Sequence, residues 1–280
     1  MPGESEIVAQ LPMNNALQTP PTPIFSEGSI VPRRLNVDPD PAMLPRIAQI
    51  LKWGFLVLPG ALPPDTLRSL RDAVDEVSDR YRHQEPTRDS RQGLYHFMLE
   101  EDERFHLLLD YPPVFRWIQA IMGTCVQLHS ATGRFVLPGM ADQAWHRDSP
   151  WPVDPEGVPI GSLPSQINAI YYLDDVDETN GPTVLVPGSH LSPFLPPEGQ
   201  VRFPDEVRVL GKAGTCAIVN NYLFHRGSAN TSSRPRRSLL FCYQNAWLKS
   251  RDTFEGPRCS ALRANGNATR KLLLGGIEVW

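Results

Sequence analysis

The sequence has no paired cysteines, no basic stripe and no long apolar run, and each absence removes a class of protein. The four cysteines, Cys125, Cys216, Cys242 and Cys259, lie far apart and form no CxxC pair. At this chain length the pattern reads as buried, reduced thiols, not as a disulfide framework or a zinc cluster. The net charge is only -4 at pH 7, with both signs spread along the chain. No surface that neutralises a run of phosphates is expected, and so no nucleic-acid partner. No apolar run approaches the ~20 residues that a helical span needs, so no membrane partner is expected either. The opening residues MPGESEIVAQ carry acids where a secretory leader needs bases, and no apolar stretch follows. A cytoplasmic location is the expectation.

What the chain does have is proline, 29 in 280 residues. Proline breaks helices and central strands, which favours many short elements joined by shaped turns. A hydrophobic fraction of 41% and a charged fraction of 21% allow a sizeable core and exclude wholesale disorder. Residues 1–40, with PPTP and little periodicity, are expected to form a flexible arm, and residues 41–280 a single domain.

Within that domain, AMLPRIAQILKWG predicts a short helix closed by Gly54, followed by a strand in GFLVLPG. The Leu62-Pro63-Pro64-Asp65 segment opens a second helix, with proline and an acid in its first turn. Leu67, Leu70, Val74 and Val77 form its apolar stripe. A third helix is predicted over Pro113 to Met122, burying Val114, Trp117, Ile118 and Ile121, with a charged loop at 82–94 before it. From Cys125 onward the texture changes to short β-branched and aromatic runs between Gly, Pro, Asp and Asn clusters. These runs are VQLHSAT, RFVLP, QAWHRD, INAIYYL, TVLVPG, VRVL, TCAIVNN, LFHRG and SLLFCYQ. Helices followed by many strands indicate a mainly β, α+β domain whose body is a sandwich or barrel.

The sharpest local signal is His146-Arg147-Asp148. On a strand, residues i and i+2 share a face, so the imidazole and the carboxylate point one way and Arg147 the other. An imidazole with a carboxylate is two-thirds of the two-histidine, one-carboxylate set that non-haem iron(II) oxygenases use. The third ligand has to come from a distant strand, and His225 in YLFHRGSAN, at a strand end before glycine, is the candidate. Downstream, Arg234, Arg236 and Arg237 open the last strand. Arg236 and Ser238 share a face there, so both can grip one carboxylate. The same ligand set also suits zinc, which leaves a zinc hydrolase, or a jelly-roll module without turnover, as rival readings.

Four segments taken together resemble the phytanoyl-CoA dioxygenase-like family of iron(II)/2-oxoglutarate oxygenases. They are WGFLVLPGALPPDTLRSLRDAVDEV, WHRDS, YYLDDVDETNGPTVLVPGSH and FHRGSANTSSRPRRSLLFCY, in that order, within about residues 50 to 248. The resemblance implies a double-stranded β-helix, a jelly roll of cupin-like form with flanking N-terminal helices, whose mouth holds the metal. It implies iron(II) on His146, Asp148 and His225, and 2-oxoglutarate with its distal carboxylate on Arg236, with the neighbouring Arg234 and Arg237 as alternatives. Gln143 and Thr183 match positions that contact the co-substrate in some relatives. With O2 as second substrate, the implied reaction oxidises a C–H bond, by hydroxylation above all, and releases succinate and CO2. Asp148 is an acid where related halogenases carry a small residue, which disfavours halogenation.

The expected substrate is a small biosynthetic intermediate, a natural product or amino-acid derivative. Its pocket is expected to lie over the metal, walled by the loop Trp151 to Ser165, by Tyr95, His96 and Phe97, and by Arg134 and Tyr222. His190, in PGSH, is expected to fix a turn by hydrogen bonds, and His106 and His129 to be satisfied structural histidines.

Overall fold

The computed structural model describes residues 40–82, 93–148, 164–199 and 202–276. The arm over residues 1–39, most of the 82–94 loop and most of the Trp151–Ser165 wall lie outside the described residues. Those described belong to one compact unit, Leu35–Trp280.

Two antiparallel sheets face each other as a jelly roll. The strands are β1 (Phe55–Leu58), β2 (Leu94–Tyr95), β3 (Val126–Val136), β4 (Gln166–Tyr172), β5 (Thr183–Leu185), β6 (Val207–Val209), β7 (Cys216–Asn220), β8 (His225–Gly227) and β9 (Arg236–Asn245). The larger sheet runs β1-β7-β4-β9-β3-β2 and the smaller β6-β5-β8. Strand alternation gives the larger sheet two faces. Ile167, Ala169 and Tyr171 on β4, with Leu239, Phe241 and Tyr243 on β9, pack outward into a core shared with the helices. Ile170, Tyr172, Ala217 and Val219 point inward, where they meet Leu185 and Val209 of the smaller sheet.

The outer face is covered by helices that the sequence pattern foretells. Helix α1 (Leu44–Trp53) follows a 3-10 turn at Pro41–Met43 and ends at Gly54 in the left-handed region, φ 84°. Helix α2 (Pro64–Arg82) buries Leu67, Leu70, Val74 and Val77 against the sheet, each burial contributing about 1.5–3 kcal/mol relative to exposure. A short helix, α3 (Met98–Glu101), and a 3-10 stretch (Glu103–Asp110) lead to α4 (Pro112–Met122), where Val114, Trp117, Ile118 and Ile121 are buried as expected. Two further helices, α5 (Pro257–Asn265) and α6 (Ala268–Leu273), were not foreseen; they close the outer core with Cys259, Leu273 and Leu274.

Two strand expectations need correction. VQLHSAT and RFVLP are one strand, β3, which passes straight through Gly133. The glycine is tolerated because Met98 packs against it, 3.3 Å from where a Cβ would stand. QAWHRD is not a strand; it contributes only the isolated antiparallel bridge His146↔His225. β3 also carries a register shift between Leu128 and Ser130. The extra residue, His129, switches the strand's parity: Val126 and Leu128 face the helices before it, Ala131 and Phe135 after it.

Candidate active site

Main-chain pairing fixes the three candidate ligands before their side chains are considered. His146 and His225 exchange reciprocal N–H···O bonds of 3.0 Å, and the Asp148 N–H reaches the Asn221 carbonyl at 3.0 Å. A bridge is enough to impose the expected alternation. Arg147 turns away, donates to the Ser192 carbonyl at 2.9 Å and stacks over Phe224. His146 and Asp148 turn inward.

Each imidazole is oriented by a neighbouring carbonyl. Nδ1–H of His146 donates to the Ala144 oxygen at 2.9 Å, and Nδ1–H of His225 to the Leu223 oxygen at 3.0 Å. A carbonyl can only accept, so both Nε2 atoms are left facing the same space. There His146 Nε2 lies 3.7 Å from Asp148 Oδ1 and His225 Nε2 lies 3.5 Å from Oδ2. All three ligand atoms fall within 4.8 Å of one another. Ligands about 2.0–2.2 Å from a common ion sit roughly 3 Å from each other when adjacent, so the set needs only a small contraction. Asn168 on β4 donates to Asp148 Oδ2 at 3.0 Å. The 36% of the Asp148 side chain that remains accessible faces a cavity of about 360 Å³ between the sheets.

The electrostatics suit a cation. Burial alone would push the Asp148 carboxyl up, but the charges of His225 and His146 outweigh it and hold it down at about 2. Burial, followed by the charge of His225, lowers His146, so that ring is neutral. For His225 burial also opposes the charge, but Asp148 prevails and the ring is raised. A metal ion binding here would compete with a proton for His225, and more so as the pH falls.

Of the three arginines opening β9, one enters the cavity. Arg236 is 3% exposed, its Nη1 donating to Ser238 Oγ at 2.9 Å and its Nη2 to the Gly181 carbonyl at 2.5 Å. Its Nε is buried without a partner, and burial lowers the guanidinium from its ordinary value. Arg237 points to the other face, onto Asp174 and Asp75, and Arg234 pairs with Asp177 at the surface. Gly181, φ 80°, is needed where it stands, since a Cβ would come within 2.6 Å of Val136. Gln143 and Thr183 both line the cavity; Gln143 Oε1 accepts the Gly227 N–H at 2.9 Å.

The proposed substrate walls divide. His96 and Arg134 line the cavity, and burial with the nearby charge of Arg236 pushes Arg134 down to about 10. Tyr95 does not line it. It alternates with Leu94 and His96, so its ring is turned back onto Tyr81 and Phe135. Phe97 is 48% exposed, in the left-handed region ahead of α3. Tyr222 meets Ser165, 3.0 Å between hydroxyls, while its neighbour Asn221 faces the cavity. Trp151 lies outside the described residues. His190 fixes PGSH to the end of α1 by its Nε2 contact with the Leu51 carbonyl at 3.0 Å, and His106 is satisfied by Leu99.

Sequence reasoning missed Asn168, and the signal was there: a lone amide in INAIYYL, on the face opposite Ala169 and Tyr171. His129, expected to be a satisfied structural histidine, contacts Ser130 Oγ at 3.1 Å and lines the cavity, as does Arg251, which no local pattern marks.

Comparison with known proteins places these residues in context. A sequence profile for phytanoyl-CoA dioxygenase (PhyH) matches residues 51–238. The dioxygenase hkm4 of Aspergillus hancockii is 29% identical over 74% of this chain and 72% of its own length. L-proline trans-4-hydroxylase of Streptomyces griseoviridis is 24% identical over 68% of this chain and 82% of its own. The crystal structure of HygX from Streptomyces hygroscopicus, solved with nickel and 2-oxoglutarate bound, superposes with a TM-score of 0.63 at 17% identity, covering 75% of this chain and 89% of HygX. At that identity the superposition speaks for the shared jelly roll.

Proposed function

This chain belongs to the phytanoyl-CoA dioxygenase family, and on that premise we propose that it is an iron(II)/2-oxoglutarate dioxygenase that hydroxylates a C–H bond of a small biosynthetic intermediate, a natural product or amino-acid derivative. The observation that carries the proposal is the convergence of His146, Asp148 and His225 within 4.8 Å, with both Nε2 atoms freed by their carbonyl partners.

Two imidazoles and one carboxylate fit iron(II) and leave the rest of its sphere to other ligands. Iron with 2-oxoglutarate and O2 supplies the oxidising chemistry, the co-substrate leaving as succinate and CO2. The chain's own residues do the remaining work. Asn168 donates to Asp148 Oδ2 and would hold the carboxylate in its orientation toward a bound ion. Arg236, steadied by Ser238 and Gly181, offers charge-assisted hydrogen bonds to the distal carboxylate of 2-oxoglutarate. Thr183 and Gln143 flank the same cavity. Ile170, Val219 and Leu240 give it apolar walls that exclude water, and His96 and Arg134 face the substrate.

The test is conversion of 2-oxoglutarate to succinate by the purified chain, with and without iron(II). Iron-dependent turnover that is lost in His225→Ala and Asp148→Ala supports the reading. Turnover indifferent to those substitutions would falsify it.

A further inference from the structure

The wall of the cavity formed by β3 and the segment after β9 carries a cation that the proposed reaction does not use. After β9 the chain folds back along β3 and fills the gap that the bulge at His129 opens in the ladder. The His129 carbonyl accepts the N–H groups of both Arg251 and Asp252 at 3.1 Å, and Ser250 Oγ donates to the Leu128 carbonyl at 2.7 Å. Asp252, wholly buried, accepts the Ala131 N–H at 2.9 Å through Oδ2 and Arg251 Nε at 3.1 Å through Oδ1. Arg251 Nη2 donates to Thr132 Oγ1 at 2.6 Å. A buried acid and a threonine thus hold Nε and Nη2 of the guanidinium, while 42% of the side chain stays accessible and the residue lines the cavity. Among the described residues lining that cavity, Asp148 is the only acid, and it belongs to the metal centre.

We infer that Arg251 is a specificity-determining residue that binds a carboxylate of the substrate, so that the enzyme acts on a small organic acid. A planar guanidinium with two anchored donors and a free Nη edge matches a carboxylate in bidentate fashion and discriminates against its neutral amide. The bulge that re-aims Ser130 and Thr132 toward the cavity is the same irregularity that seats Arg251, which is why they are found on one wall.

This inference rests on the proposed reading of the metal centre, and the experiment separates the two. The full chain is loaded with zinc, as a redox-inert ion, and 2-oxoglutarate. It is then titrated with propionate and benzoate, and in parallel with their amides, following the arginine Nε–H resonances by NMR. Saturable binding of the acids that shifts the Arg251 resonance is expected, with no such response to the amides. Arg251→Gln should weaken acid binding about ten- to hundredfold, the loss of a hydrogen bond to a charged partner, while 2-oxoglutarate affinity changes by less than about twofold. Thr132→Val, which keeps the charge but loosens its anchor, should weaken acid binding by a smaller factor. Equal binding of acid and amide, no saturable acid binding, or an unchanged affinity in Arg251→Gln would overturn the inference. So would loss of 2-oxoglutarate affinity in that variant, which would assign Arg251 to the co-substrate. Failure of the unaltered chain to take up metal and 2-oxoglutarate would overturn the underlying reading instead.

Discussion

Asn168 donates one hydrogen bond to Asp148 Oδ2, and on the proposed reading that bond would orient the carboxylate toward a cation. Replacing Asn168 by leucine, of the same branched shape, should weaken divalent-metal affinity about tenfold or more, measured by competition with a chelator; an unchanged affinity would contradict the role. The protonation of the triad gives a second expectation. Asp148 stays ionised down to about pH 2, while His225 is raised above its ordinary value by Asp148, against the effect of burial. A metal must displace that proton, so affinity should fall as the pH drops through the raised His225 value, by up to about tenfold per unit below it. Zinc titrations at several pH values would read the slope, and affinity that rises on acidification would refute the assignment. Arg236→Gln should raise the 2-oxoglutarate dissociation constant about ten- to hundredfold with metal affinity retained. At this scale much was legible. The i, i+2 spacing of His146 and Asp148 has a geometric meaning that survives even when the strand shrinks to a bridge. Arg251 was not legible, because its place depends on a chain reversal that no local pattern announces.

The elements explain where sequence reading succeeds and where it slips. The helices α1, α2 and α4 were readable from caps and apolar stripes because their stability comes from one face meeting the sheet. β3 was read as two strands. Gly133 looked like a break but is covered by Met98, and the bulge at His129 reverses which residues face the cavity. The adjacent polar pair His129-Ser130 in VQLHSAT marks where the alternation changes phase, a signal the sequence reading did not use. Gly54 shows the reverse case, a residue whose need is readable and whose reason is structural. Its φ is 84°, and a Cβ would stand 2.7 Å from Leu223 and 2.8 Å from His190. Gly54→Ala should therefore cost about 1–3 kcal/mol, seen as a lower urea midpoint, and a change below about 0.5 kcal/mol would contradict the packing described.

The described residues form a helix-backed jelly roll whose inner faces divide between apolar packing and a polar cavity. Cysteine usage agrees with that layering. Cys216, Cys242 and Cys259 are buried, and burial raises each thiol, while Cys125 is partly open. A thiol reagent should thus label Cys125 first in the native chain and Cys216 and Cys259 only on unfolding; rapid labelling of Cys216 would contradict the outer core. The account depends most on one shared ion. An anaerobic titration of the chain with iron(II) in the presence of 2-oxoglutarate tests this directly. One iron per chain is predicted, with a visible absorption band that needs both components and vanishes in His225→Ala. Iron uptake that leaves no such band, or a band that persists without His225, would contradict the account.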